Sequence, residues 1–200
     1  MANYRTSRII PTVLTIIAIV IAIAGLVALA RLLFTGSPST SISQVSVQQQ
    51  GLLDTSASRS VSMTVRGPIV ADEDFRSYQI IVSPTERKFT AYTGYLDVIT
   101  DQQTLNNNTA AYSQFVNALN KANMMAGTPL EGEKNNVLGI CATGKVYEFR
   151  TLFDGADQTM LWTSTCSGSQ GSLKASATQL SQLFLNQIPN GSDIEKNMKL

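Results

Sequence analysis

The chain has 200 residues, a formal net charge of +1 and no histidine. The charge balance gives no electrostatic reason to expect nucleic acid or an acidic polymer as partner. The missing histidine removes Ser-His-Asp and Cys-His catalysis, histidine-ligated zinc and the HExxH motif together.

In chain order, residues 1–8 form a short tail carrying Arg5 and Arg8 and no acidic residue. Ile9 to Ala30 follows, twenty-two residues without a charge, closed by Arg31. At about 1.5 Å per residue such a helix measures roughly 33 Å, enough for a hydrocarbon core of about 30 Å. Pro11 falls in the first turn, where its missing N–H is harmless. The expectation is a transmembrane helix over 9–34, with Arg5, Arg8 and Arg31 flanking the membrane. The positive-inside rule then puts the N-terminus in the cytoplasm and everything after the span outside. A cleaved signal peptide is the rival reading, because Ala28-Leu29-Ala30 has the small-residue pattern. Its apolar core is usually about 7–15 residues long, whereas here apolar character continues into Leu32, Leu33 and Phe34.

Residues 35–60 are rich in Ser, Thr and Gln and predict a flexible linker. The alternative is that Val45, Val47, Leu52 and Leu53 dock as a strand or short helix. Residues 61–200, about 140 in number, suit one extracytoplasmic domain with its own core. From Arg59 onward twelve Lys/Arg stand against thirteen Asp/Glu.

Three strand-like runs open that domain. Val61, Met63 and Val65 alternate with polar residues, Tyr78, Ile80 and Val82 alternate with Gln79 and Ile81, and Phe89 shares a face with Ala91. Pro84 between the last two predicts a hairpin. Tyr112, Phe115, Val116, Leu119 and Ala122 fall on one side of a helix predicted from Thr109 to Met125, capped by Asn108 or Thr109 and ended by Gly127. Lys145 to Thr151 and Gln158 to Ser164 make a second hairpin about Asp154-Gly155-Ala156-Asp157. A last helix runs from Ser176 to Gln187 with Leu180, Leu183, Phe184 and Ile188, closed by Pro189 and Gly191.

The two cysteines flank the second hairpin, and the mean of positions 141 and 166 nearly coincides with its turn. A Cys141–Cys166 disulfide across the hairpin base is expected, two buried free thiols being the alternative. Thr163-Ser164-Thr165-Cys166 resembles the strand-end cysteine of sortases, but without a histidine to activate it the disulfide is the better reading. No Ser-x-x-Lys nucleophile is present.

Asp72-Glu73-Asp74, Glu131 with Glu133, and Asp154 with Asp157 are acidic clusters in loops without EF-hand spacing, so solvated charge is the default. A carboxylate-dependent hydrolase would need one of the first group to face Asp154 or Asp157 across a pocket at about 5–9.5 Å. Gly168-Ser169-Gln170-Gly171 lacks the lysine of a phosphate loop, and Asn107-Asn108-Thr109 and Asn190-Gly191-Ser192 are glycosylation sequons by pattern. Trp162, Tyr78, Tyr92, Tyr95, Tyr112 and Tyr147 are expected as core or half-buried strand residues.

An Arg-bearing tail, a single span, a Ser/Thr/Gln linker and a small domain with one cysteine pair resembles the single-pass envelope proteins of Saccharibacteria-type bacteria. Within the domain, Arg66-Gly67, then Tyr78 to Val82, a helix ending in Leu119, Cys141-Ala142-Thr143-Gly144-Lys145-Val146-Tyr147 and a closing helix resemble the small α+β domains of emfourin-like protease inhibitors. The second resemblance implies inhibition of an extracellular protease, without a motif that assigns an inhibitory residue.

The expected architecture is α+β: a transmembrane helix, then a mainly antiparallel sheet of about five strands in the order βββαββα with both helices on one face. The expected function is a membrane-anchored extracytoplasmic binding module with a protein partner at the cell envelope. No catalytic, metal or cofactor residue is assigned; protease inhibition and carboxylate-dependent hydrolysis are the alternatives.

Overall fold

The computed structural model describes residues 47–198 and Leu200. The expected tail 1–8, span 9–34 and the linker's first part, residues 35–46, lie outside the described residues. Among the described residues, no helix is long and apolar enough to cross a membrane.

A short helix α1 (Val47–Leu53) leads into β1 (Arg59–Arg66). β2 (Arg76–Val82), β3 (Glu86–Thr93) and β4 (Val98–Asn106) follow as a meander, then α2 (Thr109–Lys121). The hairpin β5 (Val146–Phe153) and β6 (Ala156–Ser164) precedes α3 (Ala177–Leu185) and α4 (Gly191–Asn197). The six strands form one antiparallel sheet in the order β4-β3-β2-β1-β5-β6. β1 therefore joins the meander to the later hairpin.

The period-2 pattern decides which face is buried. Met63 lies opposite Ile80 on one side and Phe149 on the other, and Ile80 opposite Phe89, so these side chains make one apolar row across four strands. Leu52 of α1, Tyr112, Phe115, Val116 and Leu119 of α2, and Leu180 and Phe184 of α3 join that row in a single core. Phe115 meets Phe184 edge to face, with centroids 5.1 Å apart, an arrangement favoured by the ring quadrupoles.

Helix ends follow local chemistry. Asn108 Oδ1 accepts from Ala111 N–H at 2.9 Å, as expected of the α2 cap. The helix stops earlier than Gly127, because Asn123 takes the left-handed conformation (φ +60°) and Met124 N–H returns to Leu119 O at 3.0 Å. Ser176 Oγ accepts from Gln179 N–H at the start of α3. The β5–β6 turn is Asp154-Gly155, both at positive φ, as the primed turn of a two-residue hairpin requires.

Three expectations need correction. The linker expected over 35–60 is not flexible coil throughout, since α1 is helical, its Leu52 is fully buried and Asp54 pairs with Arg59 at 2.9 Å. The docking alternative holds for that part: one well-placed leucine anchors the segment although its composition is polar. The sheet has six strands, the extra one being β4, an edge strand with no buried stripe and hence no alternation to read. The order is also longer by α4, seven residues with little apolar character.

Candidate functional site

The most distinctive surface lies where the loop after β1 meets the β3–β4 turn. Ile69, Val70, Tyr95, Leu96, Val98 and Ile99 are all exposed large apolar residues, Leu96 at 89%. Scattered exposed leucines are ordinary, whereas these six are supplied together by two adjoining loops and the first residues of β4.

This corner is held rigid from below. Tyr95 Oη donates to Val70 O at 2.7 Å and receives Val70 N–H at 3.1 Å, so one hydroxyl closes the loop against the turn. The Tyr95 ring stacks on Phe75 with centroids 4.3 Å apart. Asp72 Oδ1 accepts Tyr95 N–H at 2.8 Å, and Gly94 N–H donates to Phe75 O at 3.0 Å. Gly94 sits at φ +71°, and a Cβ there would stand 3.1 Å from Asp72 Oδ1, so the turn depends on glycine. Ile69 N–H donates to Ala142 O, tying the same loop to the disulfide segment. Tyr95, expected in a strand, is instead a half-exposed turn residue whose hydroxyl organises the surface.

Beside the apolar group opens a cleft of about 840 Å³ between the ends of β2, β3 and β4 and helix α4. Val70, Ala91, Ile194 and Met198 supply apolar wall, and Asp74, Arg76 and Asp101 supply charge. The Arg76 guanidinium is turned by Nη1 toward Glu73 O, Phe75 O and Thr93 Oγ1, all neutral acceptors.

The opposite face of the sheet carries a charge ladder that sequence reading missed. Glu148, 1% exposed, accepts from Arg66 Nε at 2.8 Å and from Arg150 Nη2. Asp97 lies 4.0 Å from Arg66, and Asp157 lies 3.2 Å from Arg150 Nε. The available signal was alternation: Glu148 and Arg150 occupy the polar parity of a run whose other residues are Tyr147, Phe149 and Thr151.

The disulfide forms as expected, with Cys141 and Cys166 at 5.5 Å between Cα atoms and 25 residues apart. Thr165 N–H to Lys145 O and Lys145 N–H to Thr165 Oγ1, each 2.9 Å, extend the hairpin to its base. Cys141 packs with Val146 and Trp162 in a small second core. Next to it Leu130, Leu138, Ile140 and Trp162 line a shallow cleft of about 570 Å³.

The acidic clusters stay apart. Gly67, just before Asp72-Glu73-Asp74, bonds to Arg76 O at one end of β1, while Asp154 N–H bonds to Ser58 O at the other. At about 3.4 Å per residue, the eight residues of β1 separate these clusters by roughly 27 Å, far beyond a hydrolase pair. Glu133 receives Asn136 Nδ2 within its own loop. Among the described residues, no three His, Cys, Asp or Glu side chains are grouped to hold a metal ion. Burial, and secondarily the Glu195 carboxylate, push the Tyr78 and Tyr147 hydroxyls above their usual range, so both stay protonated near neutrality.

Fold and surface together define a disulfide-closed α+β domain with a six-stranded antiparallel sheet and one ordered apolar corner. No protein-family model matches the chain, and no curated protein is significantly similar to it.

Proposed function

We propose that the protein is a membrane-anchored extracytoplasmic binding module that engages a protein partner at the cell envelope. The observation that carries this reading is the hydrogen-bonded, exposed group Ile69, Val70, Tyr95, Leu96, Val98 and Ile99, because a large apolar surface left open to water is the mark of a contact site. The Cys141–Cys166 bond fits an oxidising compartment. Arg5, Arg8 and Arg31 around the apolar run supply the argument for an anchor with its N-terminus in the cytoplasm.

The test substitutes Leu96→Asp in the full-length protein and compares cross-linked partners in intact cells. Leu96 is 89% exposed, so stability should change by less than about 0.5 kcal/mol while the cross-linked species disappears. An unchanged cross-linking pattern overturns the reading. Protease accessibility on intact cells reads the orientation, and a protected domain overturns it.

A further inference from the structure

We propose that the β4 edge accepts an extended, basic segment of a partner polypeptide as an added strand, with the apolar corner receiving its apolar side chains. This deepens the binding reading above and rests on it.

Backbone direction at the edge follows from the register. Asn107 N–H donates to Thr85 O at 2.8 Å, and Leu105, Gln103 and Asp101 stand opposite Arg87, Phe89 and Ala91. Hydrogen-bonding direction alternates along an antiparallel strand, so those three residues bond toward β3. Gln102, Thr104 and Asn106 consequently direct their N–H and C=O groups away from the sheet. Two of these groups are held within the chain: Gln102 N–H by Asp101 Oδ1 at 2.8 Å, and Asn106 O by Arg87 Nη2 at 3.0 Å. Gln102 O, both groups of Thr104 and Asn106 N–H have no partner among the described residues, and an incoming strand pairs with them without breaking a bond between those residues. β4 carries neither proline nor lysine, the residues that commonly blunt an edge, and its register shift opposite Ala91 and Tyr92 falls outside this stretch.

Charge selects the occupant. At the corner end of the edge, residues 66–76 and 93–101 hold Asp72, Glu73, Asp74, Asp97 and Asp101 against Arg66 and Arg76, whereas Glu86, Arg87 and Lys88 of β3 stand opposite Asn106, Leu105 and Thr104, so the acidic surplus belongs to the corner end. Arg66 is bound to Glu148, with Asp97 at 4.0 Å, and Arg76 is bound to two carbonyls and Thr93. Asp74 and Asp101, on the cleft wall, make no ion pair among the described residues. A lysine or arginine of the added strand meets these carboxylates while its aliphatic stem lies on Val70 and Ala91. The β4 of a second copy carries no lysine or arginine to offer this corner, so the favoured occupant is a different, basic polypeptide.

The experiment titrates the full-length protein in detergent solution with three fluorescein-labelled peptides. The first alternates lysine with valine or isoleucine; the second has the same sequence with alternate amides N-methylated; the third has glutamate in place of lysine. Anisotropy should show the first binding at least about tenfold more tightly than either control, a difference of about 1.4 kcal/mol. Hydrogen exchange should show new protection confined to the β4 amides, and Asp101→Lys should weaken the first peptide at least about tenfold with unchanged circular dichroism. Equal binding of the N-methylated peptide, protection elsewhere, or no binding at all overturns strand addition. The Leu96→Asp cross-linking result reads the binding surface whichever way a partner engages it, so the two failures are distinguishable.

Discussion

Glu148→Gln removes the negative charge between Arg66 and Arg150 at nearly constant volume. The carboxylate is 1% exposed, whereas the two arginine side chains are 28% and 20% exposed. A hydrogen bond to a charged group contributes about 1.5–3 kcal/mol net, and partial hydration of the arginines places each bond at the low end of that range. Glutamine keeps one acceptor for one guanidinium and turns an N–H toward the other, so one bond is lost, the other weakened, and a donor faces a donor. The expected cost is about 2–3 kcal/mol. Trp162, the chain's single tryptophan, stands directly opposite Glu148 and is buried, so its fluorescence during urea unfolding reports the site. A cycle combining Glu148→Gln with Arg150→Met should give a coupling above about 1 kcal/mol, little changed by salt because the carboxylate is buried. A single-mutant cost under about 0.5 kcal/mol, or strict additivity, refutes the reasoning.

Thiol labelling of the unreduced protein should find no free cysteine, and Cys141→Ala with Cys166→Ala should lower stability by roughly 3.5 kcal/mol for a loop of this length in the chain-entropy model; urea unfolding measures the loss. Gly94→Ala forces a side chain into the left-handed region against Asp72, so it should cost about 1–2 kcal/mol and speed hydrogen exchange at Tyr95 N–H. Ser56 N–H, and then Arg59, hold the Asp54 carboxyl below its ordinary 3.8. The resulting stabilisation is complete above that pH and is lost as pH falls through the lowered value, so Asp54→Asn should flatten the acid limb of Tm against pH slightly; identical limbs count against it.

Strands with one buried stripe were legible because Val61, Met63 and Val65, or Tyr78, Ile80 and Val82, can alternate only one way against a core. The Cys141–Cys166 pair was legible because a hairpin brings residues equidistant from its turn together. β4 was illegible for the converse reason: its partner is β3 alone, and exposed residues such as Val98 and Ile99 follow no period. The apolar corner depends on Tyr95 reaching Val70 across 25 positions, a contact that neither local stretch announces. Glu148 meets Arg66 across 82 positions, so only the polar parity of β5 hinted at it.

The position of β1 gives the domain a mechanical axis. Arg59 opens the strand and Arg66 closes it. Tension between these two points runs along β1. Its ladders to β2 and β5 stand across that direction and share the load in parallel. Extension must therefore slide the central strand out between two neighbours at once, which resists pulling far more than unzipping an edge from one end. A pull that enters β1 at Arg59 and leaves it at Arg66 therefore meets the sheet in its strongest direction.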